Sequence, residues 1–268
     1  MRFFVILLIV SFLFSFSTFS QNATQTDTVF NQVDHLDRKQ GFWRKHYPNG
    51  VKAYEGFFKD DKPRGEFFRY HENGRLNARM NFTACGDTAR TQLYNAQGRM
   101  IAEGKFYKTQ KHGVWNYFAR DGRVVFTEEF NQGKKHGTFI TYYQTGEKYE
   151  EVRWRNNVKH GSTVQYYPDG RTKYIVFYEE GIEHGPVRTY FPDSALRLKG
   201  AYANGLKDGP WKRYSEDGNL TRVIEYENGR AKNHDELVEQ ETRELEKLLE
   251  NAGKIQEPSV EEFLQRRF

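Results

Sequence analysis

"QKHGVWNYFARDGR", residues Gln110 to Arg123, sets a lysine, a histidine and a glycine side by side. The triplet returns as Lys135-His136-Gly137 and Lys159-His160-Gly161, and as the near copy Glu183-His184-Gly185. Stepping by 24 residues from its glycine gives a column of Gly41, Gly65, Ala89, Gly113, Gly137, Gly161, Gly185 and Gly209, glycine in seven of eight places. A second column nine residues on reads Gly50, Gly74, Gly98, Gly122, Gly146, Gly170, Ser194 and Gly218, again seven of eight and without an insertion. A fixed period of this length marks a repeat array, in which each unit buries its apolar face against its neighbours.

Each unit reads as a β-hairpin. Turn residues precede the second column, as in Tyr47-Pro48-Asn49-Gly50, Tyr167-Pro168-Asp169-Gly170 and Glu216-Asp217-Gly218. There proline presets φ for the turn and glycine takes the positive φ that closes it. Eight residues after the turn glycine stands Phe58, Phe82, Phe106, Phe130, Trp154, Tyr178, Tyr202 or Tyr226, aromatic in every copy. Between them the apolar residues alternate with polar ones: Leu76, Ala78, Met80 and Phe82 against Arg75, Asn77, Arg79 and Asn81. Alternation of period two is the pattern of a strand with one buried face.

The histidines invite a metal reading, which geometry opposes. Equivalent residues of successive hairpins lie two strands apart, about 9.6 Å, whereas zinc ligands sit about 2.0–2.1 Å from the ion. The same column also holds Gln40, Arg64, Thr88 and Asp208. It is therefore expected to be a polar corner beside a glycine of unusual conformation, with no metal.

The composition agrees with β-structure. The chain is 16% aromatic but only 37% hydrophobic, so much of its apolar matter is Phe and Tyr. Its net charge of +5 is a small excess spread in both signs, which does not call for nucleic acid. Residues 1–20 read as a cleaved secretory signal: Met1-Arg2, an apolar run from Phe3 to Phe14, then Thr18 and Ser20 before a cut at Gln21. An uncleaved anchor is the alternative, and membrane contact is expected through this segment alone. Residues 21–40 read as a polar linker, 41–232 as the array and 233–268 as a helical cap and tail. In that tail Val238, Thr242, Leu245 and Leu249 form a helical stripe expected to pack on the terminal hairpin, Gly253 is a stop, and Ser259 opens a second helix. The lone cysteine, Cys85, is expected to serve packing.

The stretches "YEGFFKDDKPRG" (Tyr54 to Gly65), "AEGKFYKTQKHG" (Ala102 to Gly113) and "LKGAYANGLKDG" (Leu198 to Gly209) resemble the MORN repeat, and the chain looks most like bacterial MORN-variant arrays labelled as YwqK-like antitoxin components. The resemblance covers about Gly41 to Gly229. It implies an all-β repeat fold: one elongated antiparallel sheet of about eight 24-residue hairpins, here with a C-terminal α-helical cap. The inner glycine of the motif is present at Gly56, Gly104 and Gly200 but replaced by Met80, Glu128, Val152, Val176 and Ile224, and the third copy has Thr88-Ala89 in place of His-Gly. No nucleophile elbow, phosphate loop or zinc spacing is found, so catalytic residues and cofactors are not expected. The expected function is a non-catalytic, exported scaffold that binds a protein in the cell envelope. A toxin-neutralising role and glycan or cell-wall binding are the alternatives.

Overall fold

The computed structural model describes residues 29–232, 238–239, 242–247 and 250. The signal segment 1–20, residues 21–28 and the helix expected from Ser259 lie outside the described residues. Consecutive strands from Lys39 onward pair antiparallel with their neighbours in sequence, so the chain meanders through one 19-stranded sheet. At the usual spacing such a sheet runs on the order of 85 Å.

Two kinds of connection alternate along its edges. On one edge lies a three-residue loop, such as Pro48-Asn49-Gly50. Gly50 N donates to Tyr47 O at 2.9 Å and Tyr47 N to Val51 O at 2.7 Å, with Gly50 at φ 82. This is a type I turn closed by a left-handed glycine, as the second glycine column predicts. On the other edge lie two-residue turns whose two residues both have positive φ, the type I′ geometry. Examples are Asp60-Asp61 (52, 62), Asn156-Asn157 (51, 70), Asn204-Gly205 (51, 81) and Asn228-Gly229 (48, 81).

The first glycine column is not a corner. Gly65 lies inside the strand Lys62–Tyr70 at φ 59, where the register moves from Phe57↔Arg64 to Gly56↔Phe67. Two extra residues on one strand make a bulge, and positive φ lets them leave the ladder. The expectation of a turn at His-Gly is thus corrected: the corner is the two-residue turn just before it. Across the next strand the bulge glycine faces the aromatic column, with Gly41↔Phe58, Gly65↔Phe82, Gly113↔Phe130, Gly137↔Trp154, Gly161↔Tyr178, Gly185↔Tyr202 and Gly209↔Tyr226.

The ends differ from expectation. Part of the stretch read as linker is folded: Gln32–Val33 pairs with Lys39-Gln40, and Asn31 Oδ1 accepts from Arg44 N at 2.9 Å. These contacts cover the first edge, where unpaired backbone groups would otherwise be bare. At the other end residues 238–239 and 242–247 are helical, one short helix among the described residues. The expected cap is thus a single short helix: its Glu244 shares a pocket with Arg213, Tyr214 and Arg222 of the last strands, while Val238 and Leu245 keep 47% and 57% of their surface exposed. The last hairpin is closed by Arg230–Ala231 pairing with Tyr226 and Glu227. Cys85 is exposed in a loop rather than packed.

Gly146 has φ 102 and open space where a Cβ would stand. Gly146→Val therefore meets a conformational penalty and no clash, and lowers stability by about 1 kcal/mol or more. Gly146→Asn, which tolerates that region, recovers most of the loss in the same urea titration. Equal midpoints for glycine and valine would refute the turn.

Candidate binding face and the gap in its ring ladder

Alternation gives the sheet two unlike faces. One carries charged residues such as Arg79, Arg90, Arg153 and Lys199 with apolar side chains among them, including Phe42 and Val114, which are 50% and 54% exposed. The other is a face of rings. From the first copy they touch in series: Trp43–Phe58 at 6.1 Å between centroids, Phe58–Phe67 at 5.6 Å and Phe67–Phe82 at 5.9 Å. Later come Phe106–Trp115 at 4.9 Å, Tyr202–Trp211 at 5.1 Å and Trp211–Tyr226 at 6.0 Å. These edge-to-face contacts are the favoured geometry of aromatic pairs.

The rings of Phe67, Trp115 and Trp211 lie over the inner glycines. A Cβ added at Gly56 would stand 2.1 Å from Phe67, at Gly104 2.4 Å from Trp115 and at Gly200 2.5 Å from Trp211. The glycines of the Tyr-Glu-Gly motif are thus floors for a neighbouring ring; among the replaced positions Val152 faces Thr163 and Met80 faces Thr91, whereas Glu128 faces Phe139.

The lysine of Lys-His-Gly, passed over in the sequence, covers these rings. Lys111 Nζ lies 4.8 Å from the Trp115 centroid and 5.1 Å from that of Phe130, Lys207 4.7 Å from Trp211, Lys159 4.9 Å from Tyr178 and Lys39 4.8 Å from Trp43. Such contacts combine cation–π attraction with packing of the aliphatic stem. Burial pushes the Lys111 ammonium below the usual lysine range. Its Nζ donates to Tyr117 Oη at 2.6 Å, and Lys135 pairs with the sequestered Glu128 at 2.7 Å. The Tyr117 phenol is raised, first by burial and then by its hydrogen bond to Glu128.

The histidine column points to the charged face. The residues there lie beside the two-residue turn one copy on: Gln40 Oε1 accepts from Asp60 N at 3.3 Å and His184 Nδ1 from Asn204 N at 3.5 Å. Among the described residues no three His, Cys, Asp or Glu side chains gather as for a metal.

The third copy departs from this scheme. Its strands Leu76–Phe82 and Thr88–Tyr94 pair without a bulge, Phe82↔Ala89 through Ala78↔Leu93, and a longer loop joins them. In that loop Thr83 N donates to Thr88 O and Gly86 N to Thr83 O, both at 2.9 Å. The two residues that other copies loop out as a bulge are here spent in the turn, so the period of 24 survives. Thr91 stands where neighbouring copies put Phe67 and Trp115, and Asp87 where the preceding copy puts Pro63 and the next Lys111. Ring and cover are both missing, which opens a groove of 570 Å³ on the ring face. Ala78, Ala89 and Thr91 form its floor, Phe82 and Phe106 wall it, and Arg69 lies on its rim. The sequence signal was there as Thr88-Ala89.

The MORN repeat variant family model matches residues 135–156 and 207–228, so the chain carries MORN-variant repeats. No curated protein matches the chain. Two solved structures, one of an S. aureus TarM mutant in complex with Fondaparinux, alpha-GlcNAc-glycerol and UDP and one of TarM, align at 12% and 14% identity with TM-score 0.21. The alignments cover 41% of this chain and 19% of TarM, so this chain spans about a fifth of the length of those proteins.

Proposed function

We propose that this array of MORN-variant repeats is an exported, non-catalytic scaffold that holds a protein partner on its open sheet. MORN repeats as a class are associated with protein and membrane interaction. The observation that carries the reading is the sheet itself: among the described residues, 19 strands in one layer with two unlike faces, one a ladder of rings, the other mixing exposed Phe and Val with arginine and lysine. Aromatic and arginine side chains over an extended area are the chemistry of protein interfaces. Glycan stacking is less favoured, because the lysines lie over the rings that a sugar would need. A toxin met outside the cytoplasm would be a partner of this kind.

Export rests on residues 1–20, whose Thr18-Phe19-Ser20 end fits a cleavage site. The mature protein is expected to begin at Gln21 on N-terminal sequencing, whereas Met1 retained in a membrane pellet would show an anchor. Immobilised mature protein is expected to capture one protein at fixed stoichiometry from envelope extract. Sedimentation with purified cell wall and no captured protein would overturn the scaffold reading in favour of glycan.

A further inference from the structure

We propose that the gap at Thr91 is a socket for an aromatic side chain that a partner protein presents on an acidic segment; the inference rests on the scaffold reading. The ring ladder itself states what fits. Phe67 bridges Phe58 and Phe82 at 5.6 and 5.9 Å, and Trp211 bridges Tyr202 and Tyr226 at 5.1 and 6.0 Å. Between Phe82 and Phe106 the same place holds only Thr91, so the ladder that begins at Trp43 stops at Phe82 and resumes at Phe106. An incoming ring in the groove would meet both walls edge-to-face, as the chain's own rings do elsewhere.

The floor is ready to receive it. Ala78, Ala89 and Thr91 are 3%, 0% and 2% exposed, so an incoming ring would rest on the half-buried Met80, Phe82, Leu93 and Phe106 that line the groove around them. Beside Thr91, Gly104 already carries the Trp115 ring, and the residue that would underlie a ring at Thr91 is Met80, which lines the groove. A single planar group in a desolvated pocket is what makes an interface anchor, with the surrounding contacts adding little.

The rim selects the flanking charge. Arg69 and Lys108 are exposed on it, and the one acid, Asp87, has Lys62 Nζ 3.6 Å away. The balance around the opening is therefore positive, which steers and orients an acidic segment and rejects a basic one.

The test uses the mature full-length protein and a labelled acidic peptide with one central tryptophan, followed by fluorescence anisotropy. Its controls are the same peptide with alanine at the centre and a basic version around the tryptophan. The expected result is saturable binding of the first, weakened about tenfold or more in either control. Met80→Gly with Thr91→Trp rebuilds the consensus ring from within and is expected to abolish binding. Arg69→Glu with Lys108→Glu touches only exposed residues, so it reports on the socket even where the filled variant fails to fold; it is expected to weaken the acidic peptide about tenfold. No saturation at millimolar peptide, equal binding of the alanine peptide, or unchanged binding by a folded filled variant would each overturn the socket. If wild type and filled variant capture the same envelope protein equally, the socket fails and the scaffold reading stands. If the peptide binds but wild type captures no protein, the socket stands and the scaffold reading fails.

Discussion

Replacing Trp115 by alanine is expected to lower the stability of the array by about 3–5 kcal/mol, the range for deleting a large buried side chain. The indole is 0% exposed and sits in the cluster of Ala102 and Phe130, with Phe106 4.9 Å away. Truncation removes three things at once. It leaves a cavity that strands held by ladder bonds cannot close, it takes the Nε1 donor from Lys105 O at 3.0 Å, and it strips Lys111 of the ring beneath it. Repeat units contact mainly their neighbours, so the loss is local first and a single melting midpoint understates it. Hydrogen exchange is the sharper measurement: amides of Gln110–Phe118 and Val124–Asn131 are expected to lose protection before those of the terminal copies. A uniform loss across the sheet, or a change below about 1 kcal/mol, would mean that the ladder does not carry the stability assigned to it.

Much of this was legible because a repeat states each requirement eight times. The turn glycines and the aromatic column were readable as chemistry, and the structure pairs each column aromatic with a bulge glycine or, at Phe106, with Ala89. What could not be read was where the His-Gly stood. A bulge of two residues preserves the alternation of faces, so nothing in the period reveals it. It matters nonetheless: four residues span about 13 Å in a regular strand, and folding two of them out brings Lys111 to 4.8 Å from the Trp115 ring. Spacing alone therefore gives the lysine no role, although it is the cover of the core. The two-residue turns were hidden for another reason. Asn204-Gly205 and Asn228-Gly229 carry a plain hairpin signal, but Asp60-Asp61 and Lys108-Thr109 adopt the same positive φ without glycine, so no column forms. The helical stripe of Val238 and Leu245 was visible as a helix, yet a stripe does not say how closely it packs, and here those two side chains stay about half exposed.

The third copy shows the limit of reasoning from spacing. Its 24 residues are intact, so it reads as the same unit with two substitutions. Without a glycine at Ala89 the left-handed bulge is costly, and the chain places those two residues in the loop Ala84–Asp87, where Gly86 supplies φ 74. The groove lies on this strand, where Thr91 and Asp87 take the places of the next copy's Trp115 and Lys111.

Gly104→Val is expected to cost about 3 kcal/mol, at the upper end for overpacking a filled site. The backbone at Gly104 is outside the left-handed region, so valine meets no conformational penalty there and gains β-propensity. What it meets is Trp115, whose Cδ2 lies 2.4 Å from the new Cβ, well inside contact distance, with the rigid indole held between Phe106 and Phe130. The array has already solved this conflict elsewhere: Val152 stands opposite Thr163, and Val176 packs with Val187. Adding Trp115→Thr to Gly104→Val copies the first of these pairs. The double variant is expected to be more stable than the sum of the two single losses predicts, with a coupling of about 1–3 kcal/mol. Strict additivity in the cycle would show that the inner glycine and the ring are independent. The pairing of large against small at Gly104 and Trp115, Val152 and Thr163, and Met80 and Thr91 would then be a coincidence of sequence rather than a packing requirement of those copies.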